Sequence, residues 1–283
     1  NNLCSQVTIV EKQKHLMAPM DDVMSVELEK ELRRKGIKVY CDATVTEILE
    51  EEGSLSCIIT PNDGSGPVKT RAGQILMAIG RRPDVSRLLG KDISLDMKDG
   101  KIAVDSDFET SEPGVYAIGD VAARTQLAHV AAAQGTYVVE KIAGRPHSIK
   151  LEVVPNGMFV SLPIVPNCIY TDPEIATVGI TEEIAKKYGL KVRCGHFSMR
   201  DNGKSIITGE EHGFIRLLFE AYSNTIVGAQ MMCPRATDMI GEIATAIANG
   251  LTAQEMSFAM RAQPTYNEGI GAAIEDAMRQ NPV

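Results

Sequence analysis

The sequence predicts α/β layers followed by a separate α+β domain. A β-branched strand, an amphipathic helix and a second strand succeed one another over residues 5–40, the order that builds an α/β layer. Residues 101–144 supply two short strands and a helix of small residues. After about residue 150, strands and helices come in runs without strict alternation, which is the α+β pattern. A chain of 283 residues is long enough for two or more folding units. The composition shifts divide it into 1–82, 83–150 and 151–283.

In chain order, SQVTIVE (5–11) alternates and is β-branched, so it reads as a strand. In PMDDVMSVELEKELRRKG (19–36), Asp21 and Asp22 suit a helix cap and first turn, Val23, Val26, Leu28 and Leu32 form an apolar stripe, and Gly36 ends it. IKVYCDATVTEILEEE, SLSCIIT and PVKTRAG read as strands, with the polar turn PNDGSG before the last. QILMAIG (74–80) is a short apolar run that fits a buried strand. Strand, helix, strand, meander and strand together suit a nucleotide-binding layer. VPNGMFVSLPIVPNC (154–168) reads as a proline-bearing linker. Beyond it, CIYTD, KVRCGHFSM, GFIRLLFEA and TIVGAQMM are strands, and TEEIAKKYG, ATDMIGEIATAIANG and NEGIGAAIEDAMRQ are helices.

A net charge of -8 argues against nucleic acid as a partner, whose binders carry a basic face. No apolar run approaches the roughly 18 residues of a membrane helix, and no secretory signal opens the chain. The expectation is a cytoplasmic protein. Six scattered cysteines form no close pair for zinc or for a redox-active disulfide. No metal site is expected. The chain opens on Asn-Asn and enters a strand at once, which suggests the C-terminal portion of something larger.

Four places could carry chemistry. Glu11 ends a strand, where an acid can accept hydrogen bonds from an adenosine ribose and repel a 2′-phosphate. That favours NAD over NADP, with Lys12 and Lys14 beside it leaving the second open; a solvated edge residue is the alternative. Gly80, in GRRPD, either lets backbone approach a cofactor or makes an exit turn. TSEPGVYAIGD delivers Gly119 and Asp120 at a strand's C-terminal edge, where Asp120 is either a ligand for a polyol or the N-cap of the next helix. Finally, RAQPTYNEGI (261–270) has the shape of a catalytic segment, with Glu268 five positions after Gln263. Gln263, an amide, cannot take up and release a proton near neutral pH.

VTIVEK, AIGRRPD, TSEPGVYAIGDVA with LAHVAAAQG, IYTDPEIATVGITEEIA and AQPTYNEGI, in this order, resemble the pyridine nucleotide-disulfide oxidoreductases, nearest to dihydrolipoyl dehydrogenase. The resemblance spans nearly the whole chain. It implies FAD/NAD(P)-binding Rossmann-like layers, incomplete here, followed by an interface domain at 151–283 that forms a homodimer. It makes 1–82 a partial NAD-binding domain and 83–150 the C-terminal segment of the FAD-binding domain. It matches Glu11 to the NAD ribose ligand and Gly80 to backbone beside the nicotinamide. Gly119 and Asp120 match the turn that binds the FAD ribityl chain, and Leu127 and Ala128 match backbone near the flavin ring. His129 receives no proton-transfer role. The family's glycine loops and redox-active cysteine pair would lie before Asn1, so the FAD and NAD sites are both incomplete in this chain.

In the family a histidine oriented by a glutamate precedes the proline; here Gln263 holds that position, with Glu268 as the glutamate. The implied activity is dithiol to disulfide, with electrons passing through FAD to NAD and a lipoyl-bearing protein as possible partner. The isolated chain is expected to be inactive. Two alternatives stand beside it: an NAD(P)H-dependent flavoprotein that reduces a non-disulfide acceptor, and a non-catalytic dimerisation module.

Overall fold

The computed structural model describes all residues except 1–3, 18–19, 52, 86–87, 91–92, 124, 151, 154–161 and 281–283. Most of the proline-bearing stretch read as a linker therefore lies outside the described residues. Two compact units result: Asn1–Met77 with Val154–Leu162 and Pro166–Val283, and Ala78–Val153 with Pro163–Val165. The expected first and third segments thus share one unit.

In the first unit, β1 (Thr8–Val10) pairs in parallel with β2 (Lys38–Tyr40) across α1 (Asp22–Arg34). Asp21 caps α1 by accepting the Val23 N–H at 3.0 Å, as its sequence indicates. An antiparallel meander follows: β3 (Ala43–Glu51), β4 (Ser54–Pro61) and β5 (Val68–Ala72). The expected strand at 74–80 does not form. It is irregular, with Leu76 90%, Met77 69% and Ile79 88% exposed. A strand needs a neighbour for its backbone groups, and among the described residues the parallel sheet consists of β1 and β2. The apolar run has no ladder to join.

The second unit holds the hairpin β6 (Met97–Lys98) and β7 (Lys101–Ile102), a bridge from Glu109 to Tyr116, and α2 (Ala128–Ile142). Its small core gathers Leu95, Ile102 and Ala117, with Val85, Leu89 and Val104 against them. The short strands β8 (Glu152–Val153) and β9 (Leu162–Pro163) follow.

The C-terminal region of the first unit is built on β10 (Asn167–Ile169), β11 (Ile175–Gly179), α3 (Glu182–Lys187), β12 (Val192–Ser198), α4 (Gly203–Thr208), β13 (Phe214–Glu220), β14 (Ile226–Met232), α5 (Ala236–Ala248), α6 (Ala253–Ser257) and α7 (Glu268–Arg279). The strands form one antiparallel sheet in the order β10-β11-β14-β13-β12. FIRLLFE and IVGAQMM are buried at every position because both faces are covered. α5 packs on β11 and β14, and α7 on β12 and β13. On the opposite face, Phe214 and Met232 join Ile175, Met24, Leu28, Val39 and Leu16 in one core. That core binds α1 to the sheet. β11, α4 and α6 are elements that the sequence reading omitted.

α7 lies unusually close to the sheet. A Cβ built on Gly195 of β12 would fall 2.0 Å from the Ala273 carbonyl oxygen of α7. Only glycine admits that approach, so Gly195 sets the seat of α7 and of Glu268 at its first position.

Candidate functional site

Residues 261–268 connect α6 to α7 through a cis Gln263–Pro264 peptide. Nearly every polar group in the segment is tied down. The Thr265 N–H donates to the Glu268 carboxylate at 2.9 Å, and the Thr265 hydroxyl donates to the Ala262 carbonyl at 2.6 Å. Asn202, buried, donates to the Thr265 carbonyl at 3.0 Å. The Tyr266 hydroxyl donates to Glu210 at 2.5 Å; burial, then this bond, pushes the phenol above its ordinary range. Arg261 and Asn267 both donate to Glu242 on α5, at 2.6 and 2.9 Å.

Gln263 is not tied down. Its side chain is exposed and makes no hydrogen bond among the described residues. It lines an open cavity of about 600 Å³ with Phe197, Asp201, Ser257, Arg261 and Glu268. The sequence paired Gln263 with Glu268, and the structure brings both to one cavity. The Glu268 carboxylate, however, accepts from the Thr265 backbone and not from the Gln263 amide. Sequence reasoning missed Glu242: it stands nineteen residues before Arg261 on another helix, and no local spacing marks it.

In the second unit, Gly119 and Asp120 occupy a single 3-10 turn, Gly119–Val121. Gly119 has φ +69, and a Cβ there would meet the Ala131 Cβ at 2.9 Å. Its N–H donates to the buried Gln134 side chain of α2 at 2.8 Å. The turn is therefore fastened to the helix. Asp120 is not the N-cap of α2; that position is Leu127, which offers no side-chain acceptor. Leu127 stands seven positions beyond Asp120, so the capping alternative fails. The Asp120 carboxylate is partly exposed with Arg81 at 3.5 Å, and Arg81 also reaches the Gln126 carbonyl at 3.5 Å. Gly80, next to Arg81, has φ +110 with no described atom within 4 Å of a built Cβ.

Glu11 follows β1 directly in the first unit, half-buried, and its carboxylate accepts the Gln13 N–H at 2.7 Å. No set of three His, Cys, Asp or Glu among the described residues could hold a metal ion. No helix among them is long and apolar enough to cross a membrane.

Residues 1–135 match the profile described as pyridine nucleotide-disulphide oxidoreductase, and residues 165–274 match that family's dimerisation domain. The chain belongs to the pyridine nucleotide-disulphide oxidoreductases. Dihydrolipoyl dehydrogenase of Geobacillus stearothermophilus is 32% identical over 279 residues, 98% of this chain and 56% of that protein. The enzyme of the same name from Bacillus subtilis is 32% identical over 269 residues, 95% of this chain and 54% of that protein. This pyridine nucleotide-disulphide oxidoreductase chain thus spans about half the length of the curated relatives it matches. The fold is shared with LpdA of Mycobacterium tuberculosis, with TM-score 0.83, 24% identity, and coverage of 98% of this chain and 57% of that one. It is also shared with the HOCl-induced flavoprotein disulfide reductase RclA of Escherichia coli, with TM-score 0.82, 18% identity, and coverage of 97% and 59%.

The family is FAD-dependent, with NAD(P) as substrate or cofactor, and its dimerisation domain covers the C-terminal sheet. The second unit's residues fit a flavin. The turn at Gly119 excludes any side chain, Asp120 keeps a partly exposed carboxylate, and α2 starts from Leu127, which supplies no side-chain cap.

Proposed function

We propose that this chain is the C-terminal part of an FAD-dependent, NAD-linked disulfide oxidoreductase of the dihydrolipoyl dehydrogenase kind, with Gln263 at its acid-base position. The supporting observation is the cavity that Gln263 and Glu268 share, on a segment most of whose other polar groups are held. On this reading, 1–82 serves NAD through Glu11 and Gly80. Residues 83–150 serve FAD through Gly119, Asp120, Leu127 and Ala128, and 151–283 forms a homodimer. A lipoyl-bearing protein supplies the dithiol, in the cytoplasm. The balanced reaction takes a dithiol and NAD to a disulfide, NADH and a proton, and bound FAD supplies the electron relay between them.

This chain's own part is to hold or move the thiol proton. An imidazole suits that task because it titrates near working pH. Gln263 can offer a hydrogen bond to a thiol or thiolate but cannot carry its proton. The dithiol reaction should therefore run about 10²- to 10⁴-fold below that of a histidine-bearing site, the usual worth of general base catalysis. The same amide favours a second reading, a flavoprotein that passes electrons from NAD(P)H to a non-disulfide acceptor.

Anaerobic absorbance separates the two. A dithiol such as dihydrolipoamide should bleach the flavin bands of the FAD-loaded full-length protein, slowly, and NAD should restore them. Bleaching by NADH but never by dithiol would favour the second reading.

A further inference from the structure

Glu242 does not line the cavity yet closes the segment that forms its wall. One carboxylate oxygen accepts from Arg261 Nη2 at 2.6 Å and the other from Asn267 Nδ2 at 2.9 Å. These two donors stand at either end of the stretch that contains Gln263 and Pro264. Glu242 itself projects from α5, a thirteen-residue helix packed on the central sheet, so the anchor is rigid. The Arg261 side chain is only 8% exposed, and its Nε is buried without a hydrogen-bond partner. A buried donor left unsatisfied costs stability. The Arg261 Nη1 donates to the Ala259 carbonyl at 3.2 Å, so the bond to Glu242 is the shorter of the two and the charge-assisted link to another element.

We infer that Glu242 is the positioning residue of the site: by holding Arg261 with one oxygen and Asn267 with the other, it fixes segment 261–267 so that side chain 263 faces Glu268 across the cavity. The inference rests on the reading of Gln263 and Glu268 as the acid-base position. Glu242 touches no reacting group. It acts through the loop, as a bidentate acceptor whose two bonds set both ends of one short segment.

The test uses the 283-residue chain with an imidazole introduced as reporter by Gln263→His, its midpoint followed by NMR. The Glu268 carboxylate should lift that midpoint by about one unit above the ordinary ~6.5, and Glu268→Gln in the same background should return it. Adding Glu242→Gln instead, with Glu268 intact, should remove at least half of the rise. Without the reporter, Glu242→Gln should speed hydrogen exchange of the Thr265 amide, the donor to Glu268, about tenfold, while β13 amides exchange as before. Asn267→Ala, which removes one arm, should do the same to a smaller extent, and it stands in if Glu242→Gln does not fold. A Glu268-dependent rise that survives Glu242→Gln, or unchanged Thr265 exchange, overturns the inference alone. A reporter with no Glu268-dependent rise overturns the acid-base reading and the inference together.

Discussion

Gln230 is the residue through which α1 and the central sheet exchange hydrogen bonds, and its replacement by leucine should be costly. The side chain is 1% exposed. Its amide N–H₂ donates to Asp21 Oδ2 at 2.9 Å, and its carbonyl oxygen accepts from Arg216 Nη1 at 3.0 Å. Asp21 and Arg216 are themselves buried, and Arg216 also meets Glu182. Gln230→Leu keeps roughly the same volume but strips one hydrogen bond from a buried carboxylate and one from a buried guanidinium. Bonds to charged groups are worth about 1.5–3 kcal/mol each. Greater apolar burial returns about 1–2 kcal/mol, leaving a net loss of about 1–5 kcal/mol. For a chain of this size that lowers Tm by about 2–20 °C. Urea or thermal unfolding measures it. A double-mutant cycle sharpens the assignment: with Asp21→Asn in place, which retains the cap oxygen, the leucine penalty should shrink by about 1 kcal/mol or more. Stability within about 0.5 kcal/mol of the parent, or strictly additive effects, would refute the bridge.

Gly195→Ala forces a methyl to within 2.0 Å of the Ala273 carbonyl, so α7 must lift; overpacking of this kind costs about 1–3 kcal/mol, and unchanged unfolding would contradict the close seat. Burial, then the charge of Glu174, pushes the Cys233 thiol up to about 12. Native alkylation at pH 8 followed by mass spectrometry should therefore label exposed Cys4 and spare Cys233, and equal labelling would refute the burial. At Glu220, burial would raise the carboxyl, but the Ser223 and Tyr222 backbone amides at 2.6 and 3.0 Å outweigh it and hold the group below its ordinary value. A folded-state value below the unfolded one stabilises fully above about pH 4.3 and loses that contribution as pH falls through the folded value. The Ser223 amide should thus stay protected near pH 5 and loosen only in stronger acid; loosening near pH 6 would contradict the bonds.

Local signals carried most of the fold. Asp21 as cap, the stripe of α1 and the apolar runs of β13 and β14 are each written in a few adjacent residues, and each formed. QILMAIG was misread because an apolar run specifies burial only where a neighbouring strand exists to receive it. β11 was overlooked because IATVG is short and sits inside a longer motif. Gln263, Glu268 and Asp120 stood out in the sequence as motif positions, the first two in one unit and Asp120 in the other. Their supports did not: Glu242 and Asn202 reach the 261–268 segment from other elements, and Gln134 reaches Gly119 across fifteen residues. Such bonds depend on where helices land, which no window of sequence contains.

The pH dependence of dithiol-driven NAD reduction by the FAD-loaded full-length protein that carries this chain as its C-terminal part, before and after Gln263→His, bears most directly on the proposed place of residue 263. The parent should be slow, with no ionisation attributable to this position. The substituted protein should be faster by about 10²-fold or more and should gain an acid limb about one unit above the ordinary ~6.5, because Glu268 favours the charged ring and a charged imidazole can no longer accept a proton. A substituted protein with normal flavin content whose rate and profile match the parent would contradict the assignment.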